Sequence, residues 1–541
     1  MATNSAALER RETDQRSTER ALRCWFAVAV GCAVFVNCSA DRASHETAVV
    51  APSPAPGVSQ PAVAAPPPLP APVAVVAPPV AEPKPEPAPV EIAETAPEEA
   101  PVASPGVEAP MLYVAAREVF VYEAPNFNAK KLGYLRAGAR VTRSAQAQGF
   151  ERCAKGFYRI APEGYVCAGD GARLEAGDAL SELGDVRPDR TAPLPYVYAR
   201  SKQPPPPLYV KLPSAAEQAR VEPELSSARF QVRAGLSALP LSEVPPLLGA
   251  GRSLPTPFGH EYDRTLVSSG RALADSAFAI TRVFERDKRR FALTTDPSLV
   301  PLDRLEPVKV STFHGVRLDD AGLPVAFVMQ RGAYAYLAEA GKSLRPARKL
   351  DFREALPLTG RALQQGGVRW LETESGEWIR DERLTRVEMP ATLPDAARRG
   401  KSWIWVSIGK QALVAFQGTK PVYATLVSTG VDGMGDPETT RSTIRGQFLI
   451  HTKHVSVTMS SDEAGAEFEL KDIPYVQYFK DNYALHAAFW HDGFGTPRSH
   501  GCINLAPLDA RFLFHWSDPP VPALWHGAFS HHSGTLVVIE P

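Results

Sequence analysis

Of the 60 residues between 51 and 110, 19 are proline, interleaved with alanine and valine. Proline locks φ and has no N–H to give a ladder or a helix, so this tract is excluded from any packed core. The composition favours an extended polyproline-type spacer, and 39–110 is expected to be a Pro/Ala-rich disordered linker. The rest of the 541 residues is ordinary by comparison, with 44% hydrophobic content, enough for real cores. Lys+Arg 59 against Asp+Glu 60 leaves a formal charge of -1. Nothing in that balance drives binding to nucleic acid, and no nucleic-acid partner is expected. Six cysteines in a chain of this length cannot build a disulfide scaffold.

Upstream of the tract, Arg10, Arg11, Arg16, Arg20 and Arg23 precede an apolar run from Trp25 to Val36. A basic region followed by a short apolar one has the shape of a secretory signal. The run falls short of the ~20 apolar residues a membrane-spanning helix needs. Two cysteines follow small or apolar residues as in a bacterial lipoprotein signal: Val36-Asn37-Cys38-Ser39, and Val30-Gly31-Cys32. Segment 1–38 therefore reads as a signal peptide with lipidation at Cys38, Cys32 being the alternative. A plain cleaved signal and a short uncleaved anchor fit the same pattern. The expected location is the periplasm or cell envelope, with membrane contact only through the N-terminal lipid.

Between 112 and 395 the apolar residues fall in short β-like runs, with no long helical period. A weak repeat occurs three times, around Tyr158–Leu174, Phe291–Leu305 and Trp370–Leu384. Each copy reads strand, tight turn, strand, then a closing leucine. The first copy follows Val119-Phe120-Val121-Tyr122 and Leu132-Gly133-Tyr134-Leu135, a run that resembles bacterial SH3-type barrels. The expected order is an SH3-like β-barrel at 111–180, a Pro-rich linker at 181–224, and a β-rich region at 225–395 that holds further SH3-like modules or other sheet. Cys153 and Cys167 lie in the first copy, and in an exported chain they are expected to form a disulfide; two free buried thiols are the alternative.

Nine of the 12 histidines, and Cys502, lie between 451 and 541. Zinc, a Cys/His nucleophilic site, and histidines without a shared task all fit that count. The zinc reading lacks its spacing signals, with no H-E-x-x-H and no C-x-x-C. No metal and no cofactor are expected. A nucleophilic Cys502 needs a base in reach, because a thiol of pKa about 8.5 is only a few per cent ionised at neutral pH. His486 precedes Ser499 by a loop's length, and Gly501 permits a sharp turn before the thiol. His491 is the alternative base. Tyr475 and Tyr478 are candidates for a substrate lid, with plain packing as the alternative.

Ser499-His500-Gly501-Cys502-Ile503-Asn504, with His486 at this separation, resembles the signature of the L,D-transpeptidase family, the YkuD-type catalytic domain. The resemblance covers 401–541 and extends to Trp405-Val406-Ser407-Ile408, Val427-Ser428-Thr429-Gly430 and Gly446-Gln447-Phe448-Leu449-Ile450. The family's usual Thr-Pro pair is replaced here by Thr443-Ile444. The resemblance implies a mainly β fold, with a β-rich catalytic domain at the C-terminus behind the SH3-like barrels and Pro-rich linker. It implies peptidoglycan stem tetrapeptides as substrate, Cys502 as nucleophile forming a thioester, and His486 as general base. The backbone carbonyl of Ala487 would orient that histidine. Gly501 and Cys502 N–H groups would form the oxyanion hole, while Ser499 and His500 would shape the loop. Trp490, Arg498 and Asn504 would line the substrate site. The acceptor would be an amine on a second stem, giving 3-3 crosslinks, or on a wall-anchored protein. An L,D-carboxypeptidase using water, and a non-catalytic wall-binding envelope lipoprotein, are the competing readings.

Overall fold

A computed structural model describes residues 109–541, except 178–182, 227–230, 255–262, 264, 319–321, 339–342, 462–467 and 531. The signal region with Cys32 and Cys38, and the proline tract up to 108, lie outside the described residues. The chain is mostly β. None of the described helices is long and apolar enough to cross a membrane.

The C-terminal domain is built on the strand pair Ser402–Ser407 and Ala412–Gln417, whose Trp, Ile, Val, Phe and Leu residues suit a pleated surface. They form an antiparallel hairpin from Ser402↔Gln417 to Ser407↔Ala412, and Trp403 stacks on Phe416 with ring centroids 4.3 Å apart. Leu536–Glu540 runs parallel to the first strand and antiparallel to Gly446–Leu449, so it lies inside the sheet. Both faces of this sheet are covered. Ile404, Val406, Leu413 and Ile539 enter one apolar cluster, and Trp403, Trp405, Val414 and Val538 enter another. The period-two alternation of strands thus feeds two cores from one sequence run.

Each core is shared with a neighbouring module. The first includes Leu112, Val121, Leu135 and Val166 of an N-terminal module of short strands from Met111–Val114 to Ala172–Arg173. There Cys153 and Cys167 are joined by a disulfide. Strand Lys131–Leu135 also pairs with Gly527–Phe529, and Gly133 admits no side chain because Gly527 O lies 2.2 Å from where its Cβ would stand. The second core takes in Phe313, Val325, Phe327 and Val387, which belong to or flank a seven-stranded module spanning Val325–Val328 to Leu384–Val387.

All three repeat copies contain hairpins: Phe157–Arg159 with Tyr165–Cys167, Arg289–Thr294 with Leu299–Pro301, and Val368–Thr373 with Trp378–Arg380. In the second and third, a single 3-10 turn and a strand follow (Leu302–Arg304 then Leu305–Pro307; Asp381–Arg383 then Leu384–Val387).

The segment expected as a linker at 181–224 is instead part of a folded module. Strand Val197–Ser201 pairs with Ala277–Arg286, and Pro207–Tyr209 pairs with Ser268–Arg271. The physical reason is charge as well as packing. Glu222, fully buried, accepts from Tyr209 Oη at 2.7 Å, Arg289 Nη1 at 2.7 Å and Arg304 Nη1 at 3.1 Å. A buried carboxylate with this many donors anchors the segment that its proline content made look like a spacer.

Candidate active site

Strand Tyr483–Ala487 runs parallel to Ile503–Leu505, with Leu485 opposite Ile503, His486 opposite Asn504 and Ala487 opposite Leu505. Alternate residues of a strand share a face, and opposite residues in a pair point the same way. His486 and Asn504 therefore share a face, and Cys502, one residue before its strand begins, continues the same row. Cys502 is half-buried, and its thiol donates to Asn482 O at 3.4 Å.

The turn before it is closed locally. Ser499 Oγ accepts Gly501 N–H at 3.1 Å and donates to Cys502 O. Gly501 has φ 119°, and a Cβ there would meet Tyr483 Cε1 at 2.9 Å. Gly501 N–H is thus given to Ser499, and Gly501 contributes a conformation that side-chain-bearing residues rarely adopt. Its carbonyl accepts from the buried Thr443 Oγ1 at 2.8 Å, and the same hydroxyl takes Gly430 N–H at 2.9 Å. Backbone bonds from Val427–Val431, including Arg498 N→Thr429 O at 2.8 Å and Asn504 N→Ser428 O at 2.9 Å, cradle both ends of the motif. Thr429 is fixed in turn by Gln411, whose Nε2 donates to its Oγ1 at 2.6 Å.

His486 is 3% exposed, its Nδ1 lies 3.2 Å from Ala487 O, and its ring stacks on Trp490 at 5.7 Å. With Nδ1–H donating to that carbonyl, Nε2 is left with its lone pair, the form a base needs. Burial drives the imidazole down to about 4, while the carbonyl works the other way. Burial also pushes the Cys502 thiol up to about 11, and the Ala484 N–H opposes this by favouring the thiolate. Burial thus disfavours the charged form of both groups, the imidazolium and the thiolate alike.

His491 has other partners. Gly493 N–H donates to its Nδ1 at 3.1 Å, so the ring proton sits on Nε2, 3.0 Å from the Asn504 amide. A donor there requires the amide oxygen to face it, which also gives the otherwise orphaned, buried Asn504 Oδ1 a partner. Asn504 is 2% exposed and packs beneath the site. Arg498 is exposed beside His491, whose pKa burial lowers to about 4 with Arg498 adding to the shift. Trp490 is half-buried against His486 and Phe489.

A solvent-open cleft leads to Cys502, lined also by Asp432, Glu438, Arg441, Tyr478, Asn482 and His500. Of the two lid candidates, Tyr478 lines this cleft, its phenol pushed up to about 12 by burial and then by Cys502. Tyr475 is fully buried, its hydroxyl on Ala192 O at 2.5 Å, and belongs to the packing. Among the described residues no group of three His, Cys, Asp or Glu is arranged to hold a metal ion. Gln411, Thr443 and Asn482 escape a reading of the sequence because nothing local marks them; they act through contacts with residues 18, 58 and 20 positions away.

No curated protein matches. Among solved structures, an Enterococcus faecium L,D-transpeptidase is 21% identical over 26% of this chain and 49% of its own length, with a TM-score of 0.20. One from Xylanimonas cellulosilytica is 21% identical over 28% and 64%, with a TM-score of 0.21. Mycobacterium tuberculosis L,D-transpeptidase 3, solved with a faropenem-derived adduct, is 17% identical over 34% and 79%, with a TM-score of 0.20. This chain therefore spans 49% and 64% of the first two. The family described as the L,D-transpeptidase catalytic domain, YkuD, matches residues 401–539, and that segment is what the chain has in common with the family.

Proposed function

We propose that the protein is an exported L,D-transpeptidase that acts on peptidoglycan stem tetrapeptides through a Cys502 thioester. The observation that carries the reading is the position of Cys502, one residue before strand Ile503–Leu505 and in line with the face that His486 occupies on the paired strand, with the thiol lining an open cleft. Cys502 Sγ attacks the carbonyl carbon of the third stem residue as its proton passes to His486 Nε2. Collapse of the tetrahedral intermediate breaks the C–N bond, and the terminal D-alanine leaves with that proton. An acceptor amine then attacks the thioester, gives its proton to His486, and releases Cys502, which takes the proton back. The product is a 3-3 crosslink or a protein–peptidoglycan link, according to the acceptor. The signal-like N-terminus with Cys38, and the proline tract, suit a lipid-anchored enzyme in the cell envelope whose folded part is held away from the membrane.

The test is incubation of the purified full chain with tetrapeptide muropeptides. Accumulating 3-3 dimers support transfer. Tripeptides alone would mean that water is the acceptor, an outcome the openness of the cleft makes a real competitor. No change in the muropeptides would sink both readings and favour a non-catalytic wall-binding role. Cys502→Ala should abolish turnover, and surviving activity would refute the nucleophile assignment.

A further inference from the structure

The loop from 488 to 498 joins the strand of His486 to the turn of Cys502, and it carries Trp490 and His491 on one side. Its other side is gripped from outside the catalytic domain. Arg353, in the module of Val325–Val387, sends Nη2 to both Asp492 carboxylate oxygens at 2.8 Å and Nη1 to Asp492 O at 3.2 Å. Ser311 Oγ adds a bond to Oδ1 at 2.6 Å. Phe494 stacks on Phe313 at 5.9 Å. Gly495, at φ 97°, lies so close to Met329 that a Cβ would meet its Cε at 2.5 Å.

Arg353 is itself built into place. Its side chain is 8% exposed, against 55% for Asp492. Its guanidinium lies over Phe313 and Phe352, 4.6 and 5.1 Å from the ring centroids. Its φ is 66°, an arrangement uncommon for a residue with a side chain, held by Arg353 N→Val328 O at 2.6 Å. Strain of this kind persists where surrounding contacts over-determine it, and here those contacts aim a bidentate fork at one loop.

We infer that Arg353 is a positioning residue for the catalytic pair: from the neighbouring module it fixes Asp492, and through it the Trp490–His491 shelf on which His486 and Asn504 are set. The claim names a residue for the reaction proposed above and rests on that reading for its turnover arm only. The module thereby governs the catalytic centre without entering the cleft.

The experiment uses the full chain and reads D-alanine release from tetrapeptides together with the His486 titration midpoint by NMR of histidine-labelled protein. The charged groups near this loop are Arg353, Asp492 and Arg498, and His491 titrates beside them. Arg353→Ala should lower kcat by about 10- to 100-fold with little change in KM, and move the His486 midpoint up toward an ordinary histidine value. Arg353→Lys, which keeps the charge but loses the fork, should fall between. The double variant Arg353→Ala/Asp492→Ala should be no slower than the worse single, because both remove one link. Wild-type kcat and an unmoved His486 midpoint in folded Arg353→Ala would overturn the inference. If that variant does not fold, Asp492→Asn on the half-exposed side of the pair carries the same two readouts. A wild-type protein that releases no D-alanine would defeat the proposed function, while the His486 midpoint would still decide the role of Arg353.

Discussion

Two Arg–Asp pairs tie the catalytic domain to its neighbours, and they have opposite characters. Asp472, fully buried, receives both Arg136 nitrogens at 2.6 and 2.9 Å, Ser456 Oγ at 3.0 Å and Thr295 Oγ1, while its carbonyl takes the Tyr198 hydroxyl. Those partners come from the N-terminal module, the module of Val197–Pro307 and the catalytic sheet, so one carboxylate joins three parts. Burial alone would raise its pKa, but Arg136 outweighs burial and holds Asp472 well below the usual carboxylate range. Asp492, half-exposed, belongs to a loop and is grasped by one arginine. The same residue pair is a keystone in the first place and a handle on the active-site loop in the second. Burial and the element carrying the aspartate decide which.

The comparison breaks most readily at the keystone. Arg136→Ala would leave a buried carboxylate without its cation, and breaking such a pair costs about 3–5 kcal/mol. Denaturant unfolding should show that loss, and a change below about 1 kcal/mol would remove the keystone reading. Asp492→Asn should do the reverse. It alters only the exposed side of the second pair and should cost no more than about 1 kcal/mol of stability while turnover falls sharply. Equal effects on stability would erase the distinction between the two junctions.

Acid separates them next. His526, bonded to Ser456 at the first junction, is held well below its ordinary pKa by burial and then by Arg136. His454, on Tyr134 Oη at 2.9 Å, is pushed down to about 4 by burial first. Below pH 6.5 the unfolded chain protonates such histidines and the folded one does not, so the unfolded state binds more protons and stability falls as pH drops from 6.5 toward 4. A shift of that size is worth at most about 3 kcal/mol for His454. Asp492 is also shifted down, so its pair contributes stability above the ordinary carboxylate value and loses it only as pH falls through the lower folded value. The first junction should therefore weaken at a higher pH than the second. Melting temperatures between pH 7 and 4 check this, and a flat profile would count against buried neutral histidines.

What was legible in the sequence follows the same division. Cys502, His486 and the turn around Gly501 are readable because their chemistry is contiguous or one loop apart. The strands of 401–539 are readable because apolar runs such as Ser402–Ser407 are buried on both faces. Contacts made by closing the fold left no such mark. Arg353 meets Asp492 across 139 positions, and Arg136 meets Asp472 across 336. The proline-rich look of 181–224 concealed Glu222, whose partners appear only when Arg289 and Arg304 fold back onto it. The turn at Gly501 is legible as a needed glycine, whereas the bond from its N–H to Ser499 Oγ appears only in the folded chain.

Another buried charge supplies the mildest test, because its hydrogen-bond partners are all neutral oxygens. Lys453 is fully buried on strand Thr452–Ser461, and its Nζ donates to Phe514 O at 2.5 Å, Ser517 O at 2.6 Å and Ser517 Oγ at 3.2 Å. These are the last carbonyls of helix Pro507–Trp516 and its cap, where a cation also meets the negative end of the helix dipole. Burial still lowers its pKa to about 7 from 10.5. Between those values the unfolded chain holds more protons than the folded one, so wild-type stability should rise with pH through that window. Lys453→Met loses the cap but also the buried charge, and the net change at pH 7 should stay within about 1–2 kcal/mol. The variant should lack the alkaline rise, so the gap between the two proteins should shift in favour of wild type from pH 7 to pH 9.5. A gap that does not change with pH would mean that the ammonium stays charged throughout, its three oxygens outweighing burial, and that Lys453 belongs with Asp472 among the keystones.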